Sequence, residues 1–104
     1  MIARLWHGRT SRGKADAYLA FLENRAIPDY RSIPGNRGAY VLRRFDGDVA
    51  HFLTLSLWES MDAIEAFAGA DVAKAKYYPE DGGFLLEFEP EVRHYEWSDG
   101  DGHE

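Results

Sequence analysis

The strongest constraint in the chain is the run His51-Phe52-Leu53-Thr54-Leu55-Ser56-Leu57-Trp58. Its period of two makes it a strand. His51, Leu53, Leu55 and Leu57 share one face, and Phe52, Thr54, Ser56 and Trp58 share the other. Both faces carry large apolar side chains. A sheet that is apolar on both sides needs a cover on each. Helices of the same chain can supply one cover. A second copy of the sheet, related by two-fold symmetry, is the economical source of the other.

The flanking sequence places that strand in a larger order. Asp46-Gly47-Asp48 is a hairpin turn, and it joins the run to a strand from about Ala39 to Phe45. Upstream, Ile2 to Arg9 reads as a strand with Ala3, Leu5 and His7 on one face and Ile2, Arg4 and Trp6 on the other. Thr10 or Ser11 then offers an N-cap, and Ala15, Tyr18, Leu19 and Leu22 follow at helical spacing. Pro28 predicts that this helix ends near Arg25 or Ala26. Ile27 to Gly38 is then a long loop containing a Pro34-Gly35 turn.

Downstream, Ser60 caps a second helix with Ile64, Phe67 and Ala68 as its buried stripe. Gly69 weakens that helix. Asp71 is expected to begin a short continuation that carries Val72, Ala75 and Tyr78 and stops at Pro79. The last strand is expected to start at Phe84, continue through Leu86 and Phe88, break at Pro90, and resume from Val92 to Trp97. The order is βαββαβ, an α+β chain of the ferredoxin-like kind with an antiparallel sheet. It is expected to form one domain over 2–97, followed by a disordered acidic tail over 98–104.

Charge and composition remove several classes of partner. Eighteen acids against 12 bases give a formal charge of −6, which argues against nucleic acid and anionic membranes. The chain has no Cys, so thiolate catalysis, disulfides and zinc–thiolate sites are excluded. No apolar run approaches the roughly 20 residues of a membrane span, and the start lacks a signal-peptide pattern, so a cytoplasmic location is expected. Aromatic residues make up 14% of the chain, more than a small core needs, which points to a ring-lined pocket or interface. There is no Gly-x-Gly-x-x-Gly and no Walker lysine.

The strand end Leu55-Ser56-Leu57-Trp58-Glu59-Ser60, followed by Asp62-Ala63-Ile64-Glu65-Ala66-Phe67 and Asp71-Val72-Ala73-Lys74-Ala75, resembles the antibiotic biosynthesis monooxygenase family. The resemblance extends over roughly residues 1–97. It implies a dimeric α+β barrel, with two sheets packed face to face. It also implies oxygenation of a small aromatic or quinol compound with no metal, flavin or haem, the substrate itself being the electron source. Members of a second branch degrade haem. Their pocket uses a Trp on the second helix, a haem-ligating His ten positions later and an Asn on the first strand. Those places hold Phe67, Tyr77 and either Trp6 or His7 here, so this chain departs from the haem pattern at each.

The candidate catalytic residues are His7, His51 and Tyr77. His7 and His51 lie in strands that can sit side by side, and either is a base near neutral pH or a hydrogen-bonded interface residue. Tyr77 and Tyr78 precede the stop at Pro79, where their hydroxyls can point into a cleft mouth and stabilise an oxyanion. The candidate substrate-binding residues are Trp6, Trp58, Phe67 and Tyr78. Trp58 also reads as a core anchor, and Trp6 as either a pocket wall or core. Arg43 and Arg44 fall on opposite faces of the sheet, one suited to a salt bridge and the other to an anionic substrate. No metal-ligand spacing appears, and no cofactor is expected. A homodimer through the sheet face and a small aromatic ligand are the expected partners. The alternative is a non-catalytic dimeric module that binds a small ligand or a protein.

Overall fold

The computed structural model describes residues 1–98. The expected tail over 98–104 therefore lies outside the described residues, except for Ser98. Four strands form one antiparallel sheet: β1 (Ile2–Ser11), β2 (Asn36–Asp46), β3 (Val49–Trp58) and β4 (Arg93–Glu96). Their spatial order is β2-β3-β1-β4, so β3 and β1 pair at the centre. The hairpin loop between β2 and β3 is Gly47-Asp48, and Gly47 takes a φ of +60° that a two-residue turn of this kind requires.

The register fixes which side chains meet. Leu5 stands opposite Leu55, and His7 opposite Leu53. Tyr40 stands opposite Leu55, Leu42 opposite Leu53, and Arg44 opposite His51. Alternation then sorts the residues as their spacing predicts. Trp6, Thr10, Ala50, Phe52, Thr54 and Trp58 are buried on one face beneath the helices. The opposite face is open: Tyr40 is 50% exposed and Leu42 49% exposed, with Leu5, Leu53 and Leu55 half-buried beside them.

The helical layer departs from expectation at Pro28. The first helix does not end at Arg25 or Ala26. Helix α1 (Ala15–Phe21) runs into a wide π-type turn over Leu22–Ala26 and on into α2 (Ile27–Arg31). The wide turn is closed by the Ile27 N–H donating to the Leu22 carbonyl. This shifts the hydrogen-bond register, so Pro28 enters in the first turn of α2, where no N–H is required. The remaining connector is short, and β2 starts at Asn36 rather than Ala39.

Helix α3 (Met61–Ala68) is capped as expected, with Ser60 Oγ accepting the Ala63 N–H at 3.2 Å. The continuation expected from Asp71 is absent. Residues 69–78 are irregular, and Lys74 forms an isolated bridge to Glu91. Gly69 ends α3 at φ +93°, and the Ala75 N–H and Val92 N–H bond to the Pro90 and Ala73 carbonyls instead of to a helix. Tyr77 and Tyr78 therefore do not sit at a helix end. Pro79 opens a 3-10 turn over Pro79–Gly83 rather than stopping a helix. The strand expected from Phe84 is reduced to one bridge between Leu85 and Thr10, and the regular strand is only β4. Pro90 and two neighbouring acids leave that stretch without a ladder of its own.

Candidate active site

The predicted site residues divide between the two faces of the sheet. Trp6, Trp58 and Phe67 lie on the helix-covered side, whereas His7 and His51 lie on the open side. The division follows from pleating, because residues 6 and 7 of one strand point to opposite faces.

Trp58 is fully buried. Its indole N–H donates to Ser56 Oγ at 2.8 Å, and its ring lies 5.4 Å from that of Phe67. Both rings belong to the core. Phe67 also packs edge-on against Tyr30 and has the Arg4 and Lys76 cations over its face. Trp6 contacts Tyr18 and Tyr77. The gap that Trp6, Tyr18, Tyr30, Lys76, Tyr78 and Asp81 enclose is only ≈ 10 Å³, about one water molecule. The aromatic cleft between sheet and helices is filled by its own side chains.

The groups that close this cleft were not evident from spacing. Tyr18 donates to Asp81 Oδ1 at 2.8 Å, and the Tyr78 N–H donates to Asp81 Oδ2 at 2.6 Å. Burial raises the Asp81 carboxyl above the ordinary carboxylate range, and burial together with Asp81 raises the Tyr18 hydroxyl far above that of a free phenol. The Tyr78 hydroxyl donates to Asp29 Oδ2 at 2.6 Å, and burial raises it likewise. Both phenols are held neutral and act as clasps. The Tyr77 hydroxyl donates to the Glu89 carbonyl, and its ring packs on Phe88 as well as Trp6.

On the open face the structure brings together what the sequence kept apart. His7 Nδ1 lies 2.5 Å from Glu89 Oε2, and His7 Nε2 lies 3.0 Å from His51 Nδ1. The two rings stack at 5.3 Å. A carboxylate only accepts, so His7 Nδ1 carries the proton in the first contact. In the tautomer where His7 Nε2 accepts from the His51 Nδ1–H, the lone pair falls on His51 Nε2, which lies 3.9 Å from Asp46 Oδ2. Partial burial is the main influence lowering the His51 pKa, and the Arg44 charge and His7 lower it further. His51 is therefore neutral, and a base, at neutral pH. Glu89 is the member that sequence reasoning missed. It lies 82 positions from His7, and no spacing rule connects them.

These imidazoles border a recess of ≈ 280 Å³ lined by His7, His51, Leu42, Leu53, Arg43 and Arg44. Arg43 and Arg44 do fall on opposite faces. Arg43 crosses to Asp16 at 2.9 Å, while Arg44 faces His51 from the neighbouring strand. The arrangement can take a proton from a small ring compound, pass positive charge back toward Glu89, and hold an anion nearby. Among the described residues no cluster of three or more His, Asp or Glu is placed to hold a metal ion. No helix among them is long and apolar enough to cross a membrane.

Residues 1–76 match the family model for antibiotic biosynthesis monooxygenases. The chain belongs to this family. The antibiotic biosynthesis monooxygenase fold also appears in similar solved structures. One is a crystal structure of an MhuD point mutant with two manganese protoporphyrin IX molecules bound per active site. It aligns at a TM-score of 0.58 and 18% identity, covering 93% of this chain and 94% of that one. Another is Rv0793 from Mycobacterium tuberculosis, at a TM-score of 0.57 and 18% identity, covering 97% of this chain and 99% of that one. At such identity the likeness shows the shared fold and not a shared reaction. A comparison with curated proteins found no match.

Proposed function

We propose that this member of the family is a cofactor-independent oxygenase acting on a small aromatic or quinol-type compound, and that its working unit is a homodimer of one domain over 2–97. The observation that carries the reading is the Glu89–His7–His51 chain ending in a neutral imidazole at the wall of a recess. The recess lies at the small end of ligand-site volumes, which suits one or two fused rings lying over Leu42 and Leu53.

The chemistry follows from the base. His51 Nε2 takes a proton from a phenolic O–H or from an acidic ring C–H, and the positive charge is shared with His7 and offset by Glu89. The electron-rich anion that remains passes an electron to O₂, and the two radicals combine to form a C–O bond. Where the oxidised carbon begins as a CH₂ group, it ends as a carbonyl. One oxygen atom stays in the product, and the other leaves as water with the two hydrogens.

A second copy is expected to lie over the apolar band of Leu5, Leu53, Leu55, Tyr40 and Leu42, closing the open side of the sheet and keeping water from the anion. Haem, which the MhuD neighbour suggests, is the less favoured ligand of the cleft. The place is filled to ≈ 10 Å³, and the Tyr77 hydroxyl is engaged by the Glu89 carbonyl. The test is O₂ uptake by purified metal-free protein with a panel of quinols and anthrones. Uptake that depends on His51 supports the reading. Uptake no faster than with heat-denatured protein across the panel overturns it, and binding without uptake favours a non-catalytic ligand-binding module.

A further inference from the structure

Trp6 and His7 are neighbours on β1 and point to opposite faces of the sheet. The edge of β1 beside them has no ladder. β4 pairs only with Ile2 to Leu5, and the chain meets the strand again only at Arg9 and Thr10, through the Leu86 N–H and the Leu85 bridge. Residues 87–92 therefore stand against only Trp6 to Gly8, so the chain must bow outward there.

Glu89 sits in this bow. Its carboxylate reaches His7 Nδ1 at 2.5 Å on one side of the sheet, and its backbone carbonyl accepts the Tyr77 hydroxyl. The Tyr77 ring is held on the other side by edge-on packing against Trp6 at 6.2 Å and Phe88 at 4.8 Å. Trp6, Tyr77, Glu89 and His7 thus close a loop of contacts around the edge of β1. All four belong to one copy of the chain, so the loop does not depend on what covers the sheet face.

The bow is tied down from one end. The Pro90 carbonyl takes the Ala75 N–H at 2.9 Å, and the Val92 N–H goes to the Ala73 carbonyl at 2.8 Å. Arg4 anchors that neighbouring segment, its buried guanidinium donating to the Lys74 carbonyl at 3.1 Å. Pro90 also confines Glu89 to an extended backbone. At Glu89 itself the tie on the carbonyl is the Tyr77 hydroxyl. Partial burial raises the Tyr77 pKa, so the group stays a neutral donor.

We infer that Tyr77 is a positioning residue: by holding the Glu89 carbonyl beside Trp6 it sets the Glu89 carboxylate on His7 Nδ1, and so fixes the tautomer in which His7 Nε2 faces His51. This rests on the proposed base chain and deepens it. Without the tie, the carboxylate is free to swing into water, and His7 can then carry its proton on either ring nitrogen.

The test reads the histidine itself and needs no substrate. Ring-nitrogen NMR reports which nitrogen of His7 bears the proton. In the parent, His7 is expected to be the Nδ1–H form, and the Tyr77 hydroxyl proton to exchange slowly with water. Tyr77→Phe keeps both ring contacts and is expected to give a mixture of tautomers, as Glu89→Ala does. With an oxidisable quinol, Tyr77→Phe is expected to lower kcat about tenfold with KM nearly unchanged, and the double variant to be no slower than Glu89→Ala alone. A His7 that stays Nδ1–H in Tyr77→Phe overturns the inference. So does a freely exchanging Tyr77 hydroxyl in the parent, or a double variant in which the two losses multiply. A tautomer shift in a protein that never consumes O₂ upholds the positioning role and removes the oxygenase.

Discussion

His7 Nε2 lies 3.0 Å from His51 Nδ1, although the two residues are 44 positions apart and on different strands. Their rings stack at an interplanar angle of 21°, so two imidazolium charges there would face each other directly. His51→Ala is expected to lower kcat by about 10²–10⁴, the usual worth of a positioned base. His7→Ala and Glu89→Gln act on His51 indirectly and are expected to cost less, with KM nearly unchanged. Steady-state O₂ uptake measures all three. An unaffected His51→Ala enzyme would show the base to be elsewhere.

The pH dependence has a definite sign. Partial burial, Arg44 and His7 all depress the His51 pKa. The base form therefore persists below the ordinary histidine range, and kcat/KM is expected to fall only in more acidic solution. The contribution to folding follows the same direction. It is present in full above the unfolded histidine pKa and is lost as pH drops toward the lower folded value. Arg44→Gln removes one depressing charge, so the acid limb should move to higher pH. A pH–rate profile together with an NMR titration of the His51 ring checks this.

The clasp across the cleft is expected to be structural. Tyr18→Phe removes the hydroxyl that donates to Asp81 Oδ1 and should cost about 1–2 kcal/mol, because the ring stays and one buried acceptor loses a donor. Asp81→Ala strands both the Tyr18 hydroxyl and the Tyr78 N–H and should cost about 2–3 kcal/mol. Burial raises the Asp81 pKa, so its contribution is fullest below the unfolded carboxylate pKa and is lost as pH rises through the folded value. Urea melts of the two variants and the parent at several pH values test both magnitude and sign.

Leu53 and Leu55 lie at the centre of the open apolar band. A charge introduced there is expected to separate the two copies. Light scattering should give a dimer for the parent and a monomer for Leu55→Glu at micromolar concentration. A stable parent monomer would leave the second apolar face of the hairpin without a cover.

Haem titration is expected to give no saturable Soret band, since the cleft has no room and Tyr77 is already engaged. A band that appears with the parent and vanishes in Tyr77→Phe would reverse this and assign the Tyr77 oxygen as ligand.

Much of the fold was legible because it depends on local patterns. Period-two alternation identified β3 and sorted Phe52 and Trp58 from Leu53 and Leu55, and burial follows that sorting. Gly47 and Ser60 marked a turn and a cap through chemistry that needs no distant partner. Pro28 misled because its effect depends on register. The wide turn at Leu22–Ala26 rephased the helix and let the proline into a position where its missing N–H does no harm. The segment after Gly69 misled for a related reason: its backbone groups pair with residues around Pro90, which local helical propensity does not represent.

The sequence by itself determined the alternation within the strands and the two apolar faces that call for a second cover. Those properties rest on neighbours within a few residues. Only the tertiary structure decided which candidates meet. Strand register carried His51 to His7, and a nonregular segment brought Glu89 to the other side of the His7 ring. Pleating sent Trp6 to the opposite face from His7. A site made of contacts across 44 and 82 positions is set by pairing geometry and chain path, and neither is written in the spacing of the residues that form it.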